Sequence, residues 1–381
     1  MILIGFALLS TATLICAWLP DGKIRGVNLG SLFVIEPWMA HTEWTRMGCA
    51  DQKSEFDCVM RLGQAKANQE FQAHWDRWIT QADIQKMKSY GLNTIRIPVG
   101  YWIYEDIVYK DSEHFPQGGL AYLERLCGWA SDAGLYIIMD LHGAPGAQEP
   151  QQPFTGQYAP TAGFFVSWQY DRAYKFLAWM TRLAHTNHKF RNVGTIEIVN
   201  EPARGQNSLV HEFYPKAFEV IRNVENSLNI AADKRVHIMT MDKRWGAGDP
   251  KAGLTDLWHA AYDNHRYIKY DTSVPPTRQA YLRASCNDDL SGNWPVVVGE
   301  WSISPKISDE WGSEFNPSSP GAAEFYKKWW AAQVMAYEKQ NGWVFWSWKT
   351  DLNDYRWSYS LAVEKGIIPK DPTEAYRIAA C

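Results

Sequence analysis

Eight short apolar, β-branched runs recur along the chain: residues 23–29 (KIRGVNL), 93–99 (NTIRIPV), 135–142 (LYIIMDLH), 195–201 (TIEIVNE), 236–242 (VHIMTMD), 257–263 (LWHAAYD), 295–301 (PVVVGEW) and 342–348 (GWVFWSW). Most lack the polar alternation of a strand with one wet face. Continuous apolar runs of this length suit strands buried on both sides, as in a parallel sheet covered by helices. Helix-patterned segments separate most of them. Thr80 is placed to cap a helix over 81–90 with Asp83 at its third position, and Gly91 to end it. Residues 170–185, 214–229 and 321–340 carry apolar residues at helical spacing. Eight strands alternating with helices predict a closed (β/α)8 barrel forming a single domain. An open doubly wound sheet is disfavoured, because no G-x-G-x-x-G follows a strand.

Three connections are long: 29–79, 143–169 and 302–320. Each follows the C-terminal end of a strand, the face on which barrel sites are built. The first is expected to be an insertion before the first crossover helix, the second a Gly/Pro-rich loop.

The first 17 residues, MILIGFALLSTATLICA, contain no charged side chain and read as a secretory signal peptide, with Ala17 as the small residue before the cut. The catalytic domain then spans 18–381, and secretion to the extracellular space is expected. With Cys16 removed, five cysteines remain, so at least one is unpaired or intermolecular. Cys49 and Cys58 share one loop and are close enough in sequence for a short bridge. Cys286 is a candidate partner for the terminal Cys381. Leu120, Leu123 and Cys127 fall on one helical face, which makes Cys127 a candidate buried thiol. Connectivity does not follow from spacing.

The chain carries 38 Lys+Arg against 42 Asp+Glu, a net charge of −4, and no basic block, which argues against nucleic acid as a partner. Beyond the signal no apolar run approaches the length of a membrane span. No Cys-x-x-Cys or His-Glu-x-x-His occurs, so spacing offers no metal site and no cofactor is implied. A monomer is the default expectation. The 20 Trp, 19 Tyr and 15 Phe are enough for a large aromatic core, with rings left over for a flat-faced ligand such as a sugar.

The strand ends are unusually polar. Asn28 and then Glu36 follow the first run. Arg96 lies in the second, Asp140 and His142 in the third, Asn200 and Glu201 in the fourth and Glu300 in the seventh. His265 and Tyr267 follow the sixth, and Trp346 and Trp348 belong to the eighth. In a closed barrel these ends share one axial mouth. Glu201 and Glu300, at the ends of the fourth and seventh strands, would face each other across it. Glycoside hydrolysis needs such a pair: one carboxylic acid for the leaving oxygen and a second carboxylate to attack the anomeric carbon or to activate water.

The segments GLNTIRIPVGYW, DLHGAPG, IVNEP, VVGEWS and GWVFWSWK together resemble glycoside hydrolase family 5, over nearly all of 22–381. Within that family the chain is similar to fungal exo-β-1,3-glucanases. It is closer to fungal endo-β-1,6-glucanases through CADQKSEFDCV, DSEHFPQGGL, PFTGQYAPTAGF and NDYRWSY. The resemblance implies a retaining barrel glycosidase with Glu201 as acid/base and Glu300 as nucleophile. It implies that Asn200 bonds the sugar 2-hydroxyl, that Arg96 lies beside Glu300 and keeps it ionised, and that His142, His265 and Tyr267 contact sugar or orient the nucleophile. Glu36 would hold hydroxyls at the far side of the reactive sugar, and Trp346 would lie under that sugar. Trp38, Trp102, Trp245 and Trp311 are candidates for outer subsites, and Trp348 either joins them or packs. The proton on Glu201 is expected to cycle, present while Glu300 is charged and lost once Glu300 is esterified. An acidic optimum follows. The leading expectation is endo-hydrolysis of β-1,6-glucan. A β-1,3 linkage with exo or endo action is the alternative with the same catalytic pair. A non-catalytic sugar-binding barrel and a metal-dependent hydrolase are the other classes.

Overall fold

A computed structural model describes Pro20 and residues 22–255, 257–289 and 291–381. The expected signal peptide lies outside the described residues. The strands are β1 (Ile24–Asn28), β2 (Thr94–Gly100), β3 (Tyr136–Gly143), β4 (Val193–Glu197), β5 (His237–Met241), β6 (Ala260–Arg266), β7 (Val296–Trp301) and β8 (Gly342–Phe345). All pair in parallel with their sequence neighbours, and β1 pairs with β8, so the barrel closes. The helices are α1 (His41–Arg46), α2 (Glu55–Leu62), α3 (Gln64–Arg77), α4 (Gln81–Ser89), α5 (Gly119–Asp132), α6 (Ser167–Thr186), α7 (Tyr214–Ser227), α8 (Arg278–Cys286), α9 (Ala322–Tyr337) and α10 (Tyr359–Glu364). Among the described residues, the connection between β5 and β6 holds only short 3-10 turns. Among the described residues no helix is long and apolar enough to cross a membrane.

The local rules explain much of this. Thr80 accepts from the Asp83 backbone while Asp83 accepts from the Thr80 backbone, a complete capping box for α4. Gly91 then turns the chain at φ +73°, where a side chain would be strained. Cys49–Cys58 and Cys286–Cys381 are both bridged, and Cys127 is a buried free thiol on the inner face of α5.

The expected insertion before the first crossover helix is present, and the bounds of three strand-like runs are corrected. The 29–79 insertion carries three helices. Ala67, Phe71, Trp75 and Trp78 line one buried face of α3 and its C-terminal cap, and the Cys49–Cys58 bridge pins α2 to the segment before it. The sixth run lies three residues too early: β6 starts at Ala260, so His265 belongs to the strand itself. The fourth and eighth runs extend past their strands, which end at Glu197 and Phe345. Asn200, Glu201 and Trp346 therefore sit just beyond the ladder.

Candidate active site

At the C-terminal mouth of the barrel, Arg96 is completely buried on β2 and bonded on every side. Its Nε donates to Glu197 (2.8 Å), Nη1 to Asn28 (3.0 Å) and to Glu300 (3.0 Å), and Nη2 to Asn200 (2.8 Å). Asp140 lies 3.1 Å from Nη2. An isolated cation this deep would cost several kcal/mol, on the order estimated for buried ions. Here the surrounding carboxylates hold the guanidinium charged, outweighing burial.

His265 joins the two acids. Its Nδ1 lies 2.6 Å from Glu201 Oε1 and 3.6 Å from Glu300 Oε2, and its Nε2 lies 3.3 Å from Asp263. Burial alone would discharge the ring. Glu300 and Asp263 outweigh it and hold the imidazolium well above the ordinary histidine range. Tyr267 donates to Glu300 at 2.9 Å. One oxygen each of Glu201 and Glu300, with a ring nitrogen of His265, lie within 4.8 Å of one another.

The backbone sets this geometry up. Between Asp263/Val297 and His265/Glu300 the ladder gains one residue on β7, and bulges of this kind re-aim side chains near sites. Gly299 occupies the irregularity. Its N–H donates to Asp263 Oδ1 at 2.8 Å, and a Cβ there would lie 2.2 Å from Asp263 Oδ2. Glu201 holds φ +38°, a left-handed conformation costing about 1–3 kcal/mol for a residue with a side chain. Its neighbours fix it: Asn200 N–H donates to Leu141 O, Gln148 Nε2 to Asn200 O (3.0 Å), and Trp245 Nε1 to Pro202 O (2.8 Å).

Burial pushes the Glu300 carboxyl up, with His265 and then Arg96 drawing it back. Arg96 thus stands where expected, but the net direction is upward because burial prevails. Glu36 is raised to about 7 by burial, against the pull of His142 and of the Trp38 Nε1 that donates to it at 2.9 Å.

A cavity of about 650 Å³ opens above these groups. Glu36, His142, Asn200, Glu201, His265, Tyr267, Glu300 and Trp346 line it, with Arg96 directly beneath. All nine residues singled out from the sequence therefore converge. His142 stacks on Trp346 (5.6 Å, 10°) and is fixed by Asp140 at 2.6 Å. Trp38 and Trp245 line the same cavity. The other three candidate tryptophans do not. Trp102 lies among Gly100, Gly143 and Gly156, each of which leaves room for its ring, and stacks on Phe115 at 4.2 Å. Trp348 is buried and donates to Asp83. Trp311 is exposed, over the Arg356 guanidinium.

Sequence reading missed Glu197, Asp263, Gln148 and Trp357. Asp263 and Glu197 had a usable signal: each precedes a chosen residue by two or four positions at a strand's polar end. Trp357, which lines the cavity, lies within the NDYRWSY segment but was not singled out there, and Gln148, in a loop, gave no signal. The spacing also showed no ligand cluster, yet the fold brings Glu201, His265 and Glu300 to distances a divalent cation would accept. The charged His265 already neutralises that position, which makes it a poor cation site.

A family model described as Cellulase (glycosyl hydrolase family 5) matches residues 60–352. The chain belongs to glycosyl hydrolase family 5. As a member of that family it is a glycoside hydrolase, and the convergent acid pair is what such chemistry requires. This family 5 chain is 60% identical over 368 residues to glucan endo-1,6-beta-glucosidase B of Emericella nidulans, covering 96% of this chain and 90% of that one. It is 30% identical over 392 residues to a glucan 1,3-beta-glucosidase of Blumeria graminis, covering 91% and 87%. A rutinosidase structure from Aspergillus niger superposes with a TM-score of 0.71 at 18% identity, over 91% of this chain and 98% of that one, a likeness of fold alone.

Proposed function

We propose that this family 5 enzyme is a secreted endo-hydrolase of β-1,6-glucan that retains anomeric configuration. The observation that carries the mechanism is the approach of Glu201 and Glu300 oxygens to within 4.8 Å. An approach of one oxygen from each acid to under that bound supports the roughly 5–5.5 Å spacing of a retaining pair over the about 6.5–9.5 Å of an inverting one. The linkage rests on the 60% identity to the Emericella nidulans protein.

Glu300, oriented by Arg96 and Tyr267, attacks the anomeric carbon. Protonated Glu201 gives its proton to the departing oxygen, and a glucosyl ester forms on Glu300. Glu201 is then a carboxylate beside the charged His265, which stabilises it after the Glu300 charge has gone. It takes a proton from water as that water attacks the anomeric carbon, the bond from that carbon to the Glu300 carboxylate breaks, and the sugar leaves with its original configuration. Asn200, held by Arg96, is placed to meet the 2-hydroxyl. Trp346 and Glu36 form the floor and far wall of that subsite, where an apolar ring face and a hydroxyl-binding carboxyl divide the recognition between them.

Product sizes from linear β-1,6-glucan and linear β-1,3-glucan test the reading. Short β-1,6-linked oligosaccharides should appear first, with little release from the β-1,3 polymer. Glucose as the sole early product would overturn endo action, and preferential cleavage of the β-1,3 chain would overturn the linkage. Export is tested by the N-terminus of protein recovered from the medium, expected at Trp18.

A further inference from the structure

We propose that Tyr109 and Trp168 form a second glucan-binding platform on the rim of the barrel, outside the catalytic cavity. The proposal rests on the functional reading above, since that reading supplies the polymer. Tyr109 is 48% and Trp168 52% exposed, and their ring centroids lie 6.2 Å apart at 34°. Neither lines the cavity.

Two large rings left in water side by side lose the burial that normally holds aromatics in place. The Tyr109 ring is anchored from behind. The Arg172 guanidinium lies 4.0 Å from the Tyr109 ring centre and 4.8 Å from that of buried Tyr101. Arg172 is itself buried and fully bonded, to both oxygens of Glu113 (2.8 and 2.5 Å), to Ile107 O (2.7 Å) and to Gln169 (2.9 Å). Glu113 in turn accepts from the Tyr109 backbone N–H at 2.8 Å. The Tyr109 ring is thus set in one orientation before any ligand arrives, which lowers the ordering cost of binding.

The position suits a long carbohydrate. Tyr109 follows β2 and precedes α5, while Trp168 is the second residue of α6, so both stand on the face where the strands end. β2 and β3 are adjacent in the barrel. The β3 loop that supplies Glu149, Gln152 and Phe154 to the cavity wall runs on to Trp168. A polymer too long for the cavity has to pass over its rim, and the β3 loop makes this stretch one side of that rim. Two tilted aromatic faces there would take successive sugar rings by their apolar C–H sides, with the Tyr109 hydroxyl available to a sugar hydroxyl.

The test uses the full chain as Glu300→Gln, which should bind without cutting, run in native gels containing linear β-1,6-glucan. Adding Tyr109→Ala with Trp168→Ala should weaken retardation about fivefold to tenfold. Tyr109→Phe with Trp168→Phe, which keeps both rings, should preserve most of it. In the active background the double alanine variant should cut a short β-1,6-linked oligosaccharide at the parent rate. Undiminished retardation of the alanine variant overturns the platform. So does an equal loss on the short substrate, which would mean the rings act through the fold. Failure of the parent enzyme to cut the short β-1,6 substrate would instead overturn the functional reading, while the gel still reports on the rings.

Discussion

The mouth of the barrel and the rim around it use side chains in opposite ways. At the mouth, charged residues on neighbouring strands are tied to one another: Arg96 to four acidic or amide side chains, His265 to Glu201 and Asp263, Tyr267 to Glu300. Along the rim, tryptophans of similar sequence context meet different fates. Trp245 faces the cavity, Trp102 is sealed under a stacked Phe115, and Trp311 stands in solvent over Arg356. The strand ladder fixes where a mouth residue stands before its side chain is considered. A rim residue is placed only by whatever its loop packs against.

The sharpest way to break this contrast is to remove charge from the mouth. Glu300→Gln and Glu201→Gln should each lower kcat by about 10³-fold or more with the fold retained, measured as glucan hydrolysis beside a thermal melt. A loss of less than tenfold for either would place the chemistry elsewhere.

At the rim, Trp102→Ala should empty a packed site and cost about 3–5 kcal/mol of stability in a denaturant titration, leaving KM unchanged for the material that remains folded. A rise in KM with no loss of stability would make Trp102 a sugar contact after all.

Between the two regions stands Glu36, which burial raises to about 7 from an ordinary value of 4.5. A carboxyl whose folded value lies above its unfolded one contributes stability that is complete below about 4.5 and is lost as pH climbs through 7. The loss is on the order of 3 kcal/mol. Glu36→Gln should flatten that part of the stability–pH curve, and an unchanged curve would show that Glu36 does not titrate there.

The smallest expected effect belongs to Trp245→Ala, a roughly fivefold rise in KM with little change in melting temperature, because one aromatic face is lost from a half-open wall. A change confined to kcat would show that its bond to Pro202 O, which steadies the strained Glu201, matters more than its ring.

This division also accounts for what could be read from the chain beforehand. Apolar runs fix the eight strands, and polar residues at their ends mark the mouth, so Glu201, Glu300 and their seven companions were legible. The β6 boundary was not, because Leu257, Trp258 and His259 carry the same apolar signature as a strand and lie just before one. The α3 helix was legible in principle through the spacing of Ala67, Phe71, Trp75 and Trp78, but its polar remainder masked it. Asp263 was overlooked because its work, holding Gly299 N–H and His265 together, depends on a bulge between β6 and β7 that no local pattern announces. The rim tryptophans were undecidable in sequence because three glycines from separate loops and strand ends are what bury Trp102.

The most direct test of a shared sugar between Glu201 and Glu300 is proton NMR of the first sugar released from a β-linked glucan oligosaccharide, recorded before mutarotation. Attack by Glu300 followed by water activated through Glu201 inverts the anomeric carbon twice and gives the β-anomer first. Initial release of the α-anomer would mean a single inversion, and the paired carboxyls would not be working as nucleophile and acid/base.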